Sequence, residues 1–350
     1  MKVLPILNGG CEKAQKAQGI TIIFVYFVFF AAIIPFSVTP ASVAAQIASS
    51  AGTAVELIAD AGFERGFRIK DPDAQGRVVT WNPAAKPAWD LVHHHSKSSF
   101  ADAGKFAMRA NGFTFNDDYG RLDVHPAGGD ADVILGVNAS KEFGGVYRKQ
   151  GEPWPHLYLS QRISSPGGHL AAGSPSIAEL ARVDFSVDVR LLHDRANKTA
   201  SHKRSIHAAQ FVFFFTIQNL NRKSPGYGDY YWFGVLLYDD RKPVTSLFAM
   251  HDKGSPLKKG TDKLIYDIGV APFTKEVVAQ GGWVSVRGDL LPHILAGLQE
   301  GWKRGYLPAS HELADYRFGS VVTGFEITGL NDVAVAVKGL RAAATLKAAK

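Results

Sequence analysis

The chain has 350 residues, 46% hydrophobic and 20% charged, with 35 glycines, 17 prolines and a single cysteine. That much apolar material excludes a disordered or collagen-like chain, and one cysteine excludes a disulfide framework. The formal charge of +7 comes from 39 Lys+Arg against 32 Asp+Glu and is scattered along the chain. Without a basic run or a nucleic-acid motif, it points to loose attraction for anions and not to nucleic-acid recognition.

The first element is the uncharged apolar run Ile20 to Val38, preceded by Lys13 and Lys16 and followed by Val43-Ala44-Ala45. Leading positive charge and a small-x-small tripeptide fit an export signal cleaved before Gln46. The run is longer than an ordinary signal core and near the length of a spanning helix, so an uncleaved anchor is the alternative. Residues 1–45 are therefore expected to be signal peptide or anchor, and 46–350 a single large β-sandwich with long loops. The expected location is secreted, periplasmic or extracellular, with membrane contact only through an uncleaved leader. Cys11 precedes the run, so a cleaved chain carries no thiol and no cysteine chemistry.

Residues 46–155 are rich in Gly, Pro, Asp and His and read as first strands joined by long loops, or as a small separate domain. No linker divides the chain, which favours one continuous sandwich. Turn clusters such as Asp71-Pro72-Asp73, Asn82-Pro83, Ser165-Pro166-Gly167-Gly168 and Ser224-Pro225-Gly226 separate short β-rich runs. Strands are expected at 157–163, 183–191, 210–219, 230–238, 283–287, 322–328 and 333–340.

Alternation within these runs is one-sided. Val183, Phe185, Val187, Val189 and Leu191 share one face, and Asp184, Ser186, Asp188 and Arg190 the other. Phe211, Phe213, Phe215 and Ile217 oppose Gln210, Thr216 and Gln218, while Phe325 and Ile327 oppose Glu326. Before the last strands, Asp289 is placed to cap a helix with Pro292 in its first turn. Leu291, Ile294, Leu298 and Trp302 form its apolar stripe, and Gly305 and Pro308 end it. The fold expected is mostly β, a jelly-roll sandwich with one or two peripheral helices; no βαβ alternation is present.

Asp188 and Glu326, on polar strand faces, form the candidate catalytic carboxyl pair that a glycosidase needs. Asp239-Asp240 follow the aromatic strand. Arg190 and Gln218 are candidate hydrogen-bonding groups for a substrate. Trp232, in the aromatic strand, and Trp154, between two prolines, are candidate stacking surfaces for sugar rings. Tyr147, His156 and Arg162 add acid and base groups of the kind a polysaccharide lyase uses. His93-His94-His95 read as a polar loop, because adjacent strand residues alternate direction and cannot all face one metal ion.

Ala61-Gly62-Phe63-Glu64-Arg65-Gly66-Phe67 resembles the opening of jelly-roll carbohydrate-binding modules, and Asn331-Asp332-Val333-Ala334-Val335 resembles their closing strand. The resemblance covers only the two ends, and the span between them is much longer than such a module. It implies a structural calcium held by Glu64 and Asp332 where first and last strands meet, in a concanavalin- or galactose-binding-like sandwich. No organic cofactor is expected. Three functions follow as expectations. The first is an exported protein that recognises a polysaccharide on the polar concave face of a sandwich. The second is a glycoside hydrolase or polysaccharide lyase on the same fold. The third is an envelope-anchored structural or interaction protein whose aromatic strand meets a partner.

Overall fold

Where the sequence alternates, the described residues form two-sided sheet. The first eight strands are β1 (Ala54–Glu56), β2 (Phe67–Lys70), β3 (Arg77–Val79), β4 (Trp89–His94), β5 (Phe106–Arg109), β6 (Gly112–Asn116), β7 (Gly120–Val124) and β8 (Val133–Asn138). β9 (His156–Arg162), β10 (Leu180–Ala196), β11 (Ala209–Asn219), β12 (Tyr230–Gly234) and β13 (Tyr238–Asp239) follow. The last are β14 (Phe248–His251), β15 (Leu264–Asp267), β16 (Val284–Asp289), β17 (Tyr316–Ile327) and β18 (Asn331–Leu346). Among the described residues there are two α-helices, α1 (Ala139–Glu142) and α2 (Leu291–Lys303), besides three short 3-10 turns.

The computed structural model describes residues 53–70, 77–127, 129–255, 257 and 259–348. The chain divides into Met1–Ser49 and Ser50–Lys350. The 1–45 leader and the Asp71-Pro72-Asp73 turn lie outside the described residues.

The second unit is the two-sheet jelly-roll sandwich that the alternation implies. Sheet A has eight strands in the order β16-β10-β18-β8-β7-β6-β5, with β1 on the end of β18. Sheet B has ten, β14-β15-β12-β11-β17-β9-β4-β2-β3, with β13 on β11. The loosely patterned 46–155 region supplies strands to both sheets, which is why no linker marks it off. The 230–238 run keeps its pairing to β11 but is irregular at 235–237, where the Leu236 N–H turns to the Asp267 side chain.

Between the sheets lies an aromatic core. Phe185 of sheet A meets Phe213 of sheet B at 4.8 Å between ring centroids, and Phe211 packs on Phe325 at 4.9 Å. Val183, Val187, Val189, Phe211, Phe215 and Ile327 are buried with them. Because the alternate residues must point the other way, this core fixes which side chains face outward. Helix α2 packs Ile294 and Leu298 into the same core, and its Ile294 carbonyl accepts a 2.8 Å bond from the Tyr231 hydroxyl. Asp289 acts one residue ahead of the geometric cap: its Oδ1 accepts the Leu291 N–H at 2.9 Å and the Val183 N–H at 2.9 Å.

Candidate functional site

The outward face of sheet B carries a row of polar groups flanked by aromatic rings. One row crosses five strands in register: Asp239, Gln210, Glu326, His156 and His94. Each is the alternate of a core residue on its own strand, so Glu326 faces outward because Phe325 and Ile327 face in. The Tyr158 hydroxyl, two residues along β9 from His156, donates to Glu326 Oε1 at 2.5 Å. Burial, then the charge and hydrogen bond of Glu326, hold the Tyr158 phenol well above its usual range. Tyr158 is therefore a proton donor that anchors Glu326, not a base.

Aromatic rings flank this row. Trp154 stacks on His156 at 5.4 Å, and the Arg148 guanidinium lies 4.8 Å from the Trp154 centroid. Farther along, Trp232 meets Tyr230 and Phe214 edge-on at 5.4 and 5.9 Å, and its indole N–H donates to Thr261 Oγ1 at 3.2 Å. Thr261 is tied to Asp252, whose Oδ2 accepts its hydroxyl at 2.5 Å and its N–H at 3.0 Å. Thr261 and Asp252 are thus held beside Trp232 on the sheet B face.

Gln218 sits on the same face at the other end of β11, paired with Tyr230 and Arg317, and donates to the Gly228 carbonyl at 3.0 Å. Eight residues separate it from Gln210 in the Glu326 row, roughly 27 Å along a strand. A cleft of about 810 Å³ opens near this end, lined by the 164–173 loop with Asn221, Arg222, Tyr227 and Arg317. A second cavity of about 260 Å³ lies by β2, β4 and β9.

Four expected site residues therefore share one face: Glu326, Gln218, Trp232 and Trp154. Two do not. Asp188 and Arg190 belong to β10 of sheet A, with Val187 and Val189 pointing into the core between them. Their side chains face away from sheet B, so the expected Asp188–Glu326 carboxyl pair is not formed: the two acids stand on opposite exteriors. Asp188 instead accepts from Ser285 Oγ at 2.6 Å and Arg287 at 2.8 Å. Arg190 donates to Asp130 at 3.1 Å and lies 4.5 Å from the Trp283 ring centroid. Asp188 is thus engaged across to β16, and Arg190 by the loop residues Asp130 and Trp283.

The calcium reading fails on geometry. First and last strands do meet, Ala54 opposite Thr345. Glu64, however, lies 3.6 Å from His125, just beyond one end of β7, whereas Asp332 pairs with Asn138, whose N–H bonds Tyr119 at the other end. Asp332 is occupied by the Ser140 N–H at 2.9 Å and the Ser140 hydroxyl at 2.6 Å, so it holds the start of α1. Among the described residues no group of three or more His, Cys, Asp or Glu is placed to hold a metal. Glu64 and Asp332 do not fit the ion that the resemblance implies.

The histidine run is strand, not loop, as far as His94. His93 points into the core against Phe100, at 5.1 Å, and His94 points outward, 6.2 Å from His156. Of the other acid–base candidates, His156 and Arg162 lie on the sheet B face. Tyr147 stacks on His207 at 4.4 Å and donates to the Asn197 carbonyl, elsewhere. Tyr158 and Gln210 were not singled out from the sequence, although both alternate with core residues and Gln210 belongs to a recognised polar face. Asp239 accepts from Gln210 at 3.1 Å and from Arg241 at 2.7 and 2.8 Å. Burial raises its pKa, but the Arg241 bonds outweigh this and hold it below the usual carboxylate range.

No protein-family model and no curated protein matches the chain. Among solved structures it is similar to a family 11 xylanase from Neocallimastix patriciarum, at 11% identity over 73% of this chain and 100% of that one, TM-score 0.36. Endoglucanase Cel12A from Rhodothermus marinus matches at 11% identity over 73% and 96%, TM-score 0.35. The xyloglucanase domain of NopAA from Sinorhizobium fredii, in complex with cellobiose, matches at 10% over 73% and 98%, TM-score 0.34. No substrate and no residue role is carried from them to this chain.

Proposed function

We propose that the protein is an exported polysaccharide-binding protein that holds its ligand along the outward face of sheet B. One observation carries this reading: Glu326, Trp154, Trp232 and Gln218, from four separate parts of the chain, stand on one face of sheet B, with a cleft near its Gln218 end. Sugar rings offer hydroxyls to amide and carboxylate groups and apolar C–H faces to aromatic planes, and this face supplies both kinds of partner. The ion-paired Asp188 and Arg190 have no part in it. Export rests on the charge and length of residues 1–45 and is tested by sequencing the N-terminus of the mature protein: Gln46 is expected, and a retained leader supports an anchored form.

Affinity electrophoresis in gels containing a panel of polysaccharides tests the face directly. Retardation by at least one polysaccharide is expected, reduced about tenfold in affinity by Glu326→Ala and by Gln218→Ala, the loss of a charge-assisted or well-placed hydrogen bond. Unchanged retardation in both variants contradicts the reading.

A second reading has one observation in its favour, the Glu326–Tyr158 pair beside His156, which offers a carboxylate next to a proton donor. On that reading the protein is a glycoside hydrolase or polysaccharide lyase. A glycosidase needs a second carboxylate within about 5–9.5 Å. Asp239, two strands away in the same row, is held ionised by Arg241 and is unsuited to act as the acid. Release of reducing ends or of unsaturated products from a polysaccharide that the protein binds would establish this reading over the first.

A further inference from the structure

The smaller cavity of about 260 Å³ is strongly basic. It is lined by Arg65, Arg68, Lys86, Arg162 and His169, with Asp90 as its one carboxylate. Both oxygens of that carboxylate are committed, one to Arg68 at 2.8 Å and the other to Lys70 at 2.8 Å. Among the described residues no ion pair engages Arg65, Lys86 or Arg162. Arg162 donates to the Pro166 carbonyl at 2.7 Å, which holds it against the loop that closes the cavity. Burial, and then the nearby Arg65 charge, hold His169 below its usual range against the effect of its bond to the Arg162 carbonyl. The positive charge at neutral pH therefore comes from the arginines and Lys86.

The cavity shares a face with the row described above. Arg68, Asp90 and Ser160 are cross-strand neighbours, and Ser160 pairs with Val322 of β17. All four residues are outward alternates of the core residues Phe67, Leu91, Leu159 and Val321. Arg162 lies four residues beyond Tyr158 on β9, roughly 13 Å along the strand. A chain-like ligand lying across sheet B would pass the Glu326–Tyr158 pair and reach this cavity. The neighbouring cleft adds Arg222 and Arg317 and no carboxylate.

We propose that this cavity is a subsite for an anionic substituent of the polysaccharide, a uronate carboxylate or a sulfate ester, with Arg65, Lys86 and Arg162 as its ligands. The volume suits one such group with part of its sugar ring and not a longer segment. Guanidinium groups pair with two oxygens of a carboxylate or of a tetrahedral oxyanion through parallel charge-assisted hydrogen bonds, which a neutral hydroxyl cannot match. This inference rests on the sheet B reading and names the ligand class for it.

The test is affinity electrophoresis of the full mature chain at low salt in gels containing polygalacturonate, dextran sulfate or neutral xyloglucan. The variants are Arg65→Ala with Lys86→Ala, both exposed positions whose replacement leaves the core intact, and the charge-reversed Arg65→Glu with Lys86→Glu. The expected result is that at least one anionic gel retards the wild type more than the neutral gel. The double alanine variant should lose about tenfold in that affinity, the reversed variant more, and neither should change in the neutral gel. Whether polygalacturonate or dextran sulfate shows the loss decides between carboxylate and sulfate. Equal retardation of wild type and variants in every gel, or retardation by the neutral gel alone, overturns the inference and leaves the sheet B reading standing. No retardation of the wild type in any gel overturns both.

Discussion

At the scale of single residues, the groups most easily misjudged from sequence are those whose partner comes from a distant strand. Asp188 and Glu326 look alike in sequence, each an acid on the polar side of an alternating strand. Strand order alone separates them, and strand order is not written in local alternation. Asp267 shows the same limit. It is the last residue of β15, yet it is fully buried, its Oδ1 accepting from the Leu236 N–H at 3.0 Å and the Gly269 N–H at 2.8 Å. Its Oδ2 has no hydrogen-bond partner among the described residues. Burial pushes its pKa up to about 7, against the lowering effect of the two backbone bonds and Lys242. An unfolded aspartate titrates near 3.9, so between about pH 4 and 7 the native state keeps a proton that the unfolded state releases. Stability is therefore lost as pH rises through that window. Asp267→Asn keeps the acceptor oxygen and cannot ionise, so the melting temperature of the wild type should fall relative to the variant between pH 5 and 8. Parallel melting curves across that range would contradict the assignment.

At the scale of elements, period was a reliable guide where one face is buried. The strands expected at 183–191 and 210–219 are longer than expected, and the one expected at 322–328 starts earlier, at Tyr316, and ends at Ile327; all keep the expected inward faces, because the Phe and Val positions pack across a single core. Helix α2 was legible from Leu291, Ile294 and Leu298 at helical spacing and from Gly305 beyond its end, where φ is +81°. Its seat was not, because nothing local says that Gly297 faces Tyr231. A Cβ at Gly297 would lie 2.7 Å from the Tyr231 hydroxyl oxygen, which is itself bonded to the Ile294 carbonyl. Gly297→Ala gains about 1 kcal/mol of helix propensity but overpacks a buried contact, at a cost of about 1–3 kcal/mol. Net destabilisation is expected in denaturant unfolding, and a stabilised variant would show that the helix does not seat there. Ile294→Ala, which empties the same interface, should cost about 2–5 kcal/mol.

At the scale of the whole molecule, two sheets give two outer faces, and the functional account depends on choosing between them. Sheet A spends its outward charges on itself: Asp188 with Arg287, Arg182 with Asp184, Arg341 with Glu56, and Asp130 with both Arg190 and Lys338. Sheet B combines aromatic planes, hydrogen-bonding groups and a basic cavity along one surface. That one such surface exists was legible from one-sided alternation; which strands build it was not, because β9, β11 and β17 are neighbours only through long-range pairing. The decisive measurement compares the two faces in one affinity-electrophoresis series, using a polysaccharide that retards the wild type. Glu326→Ala combined with Trp232→Ala should abolish retardation, while Asp188→Ala combined with Arg190→Ala should migrate as the wild type does. The reverse pattern, with binding lost through sheet A and kept without Glu326 and Trp232, would contradict the account.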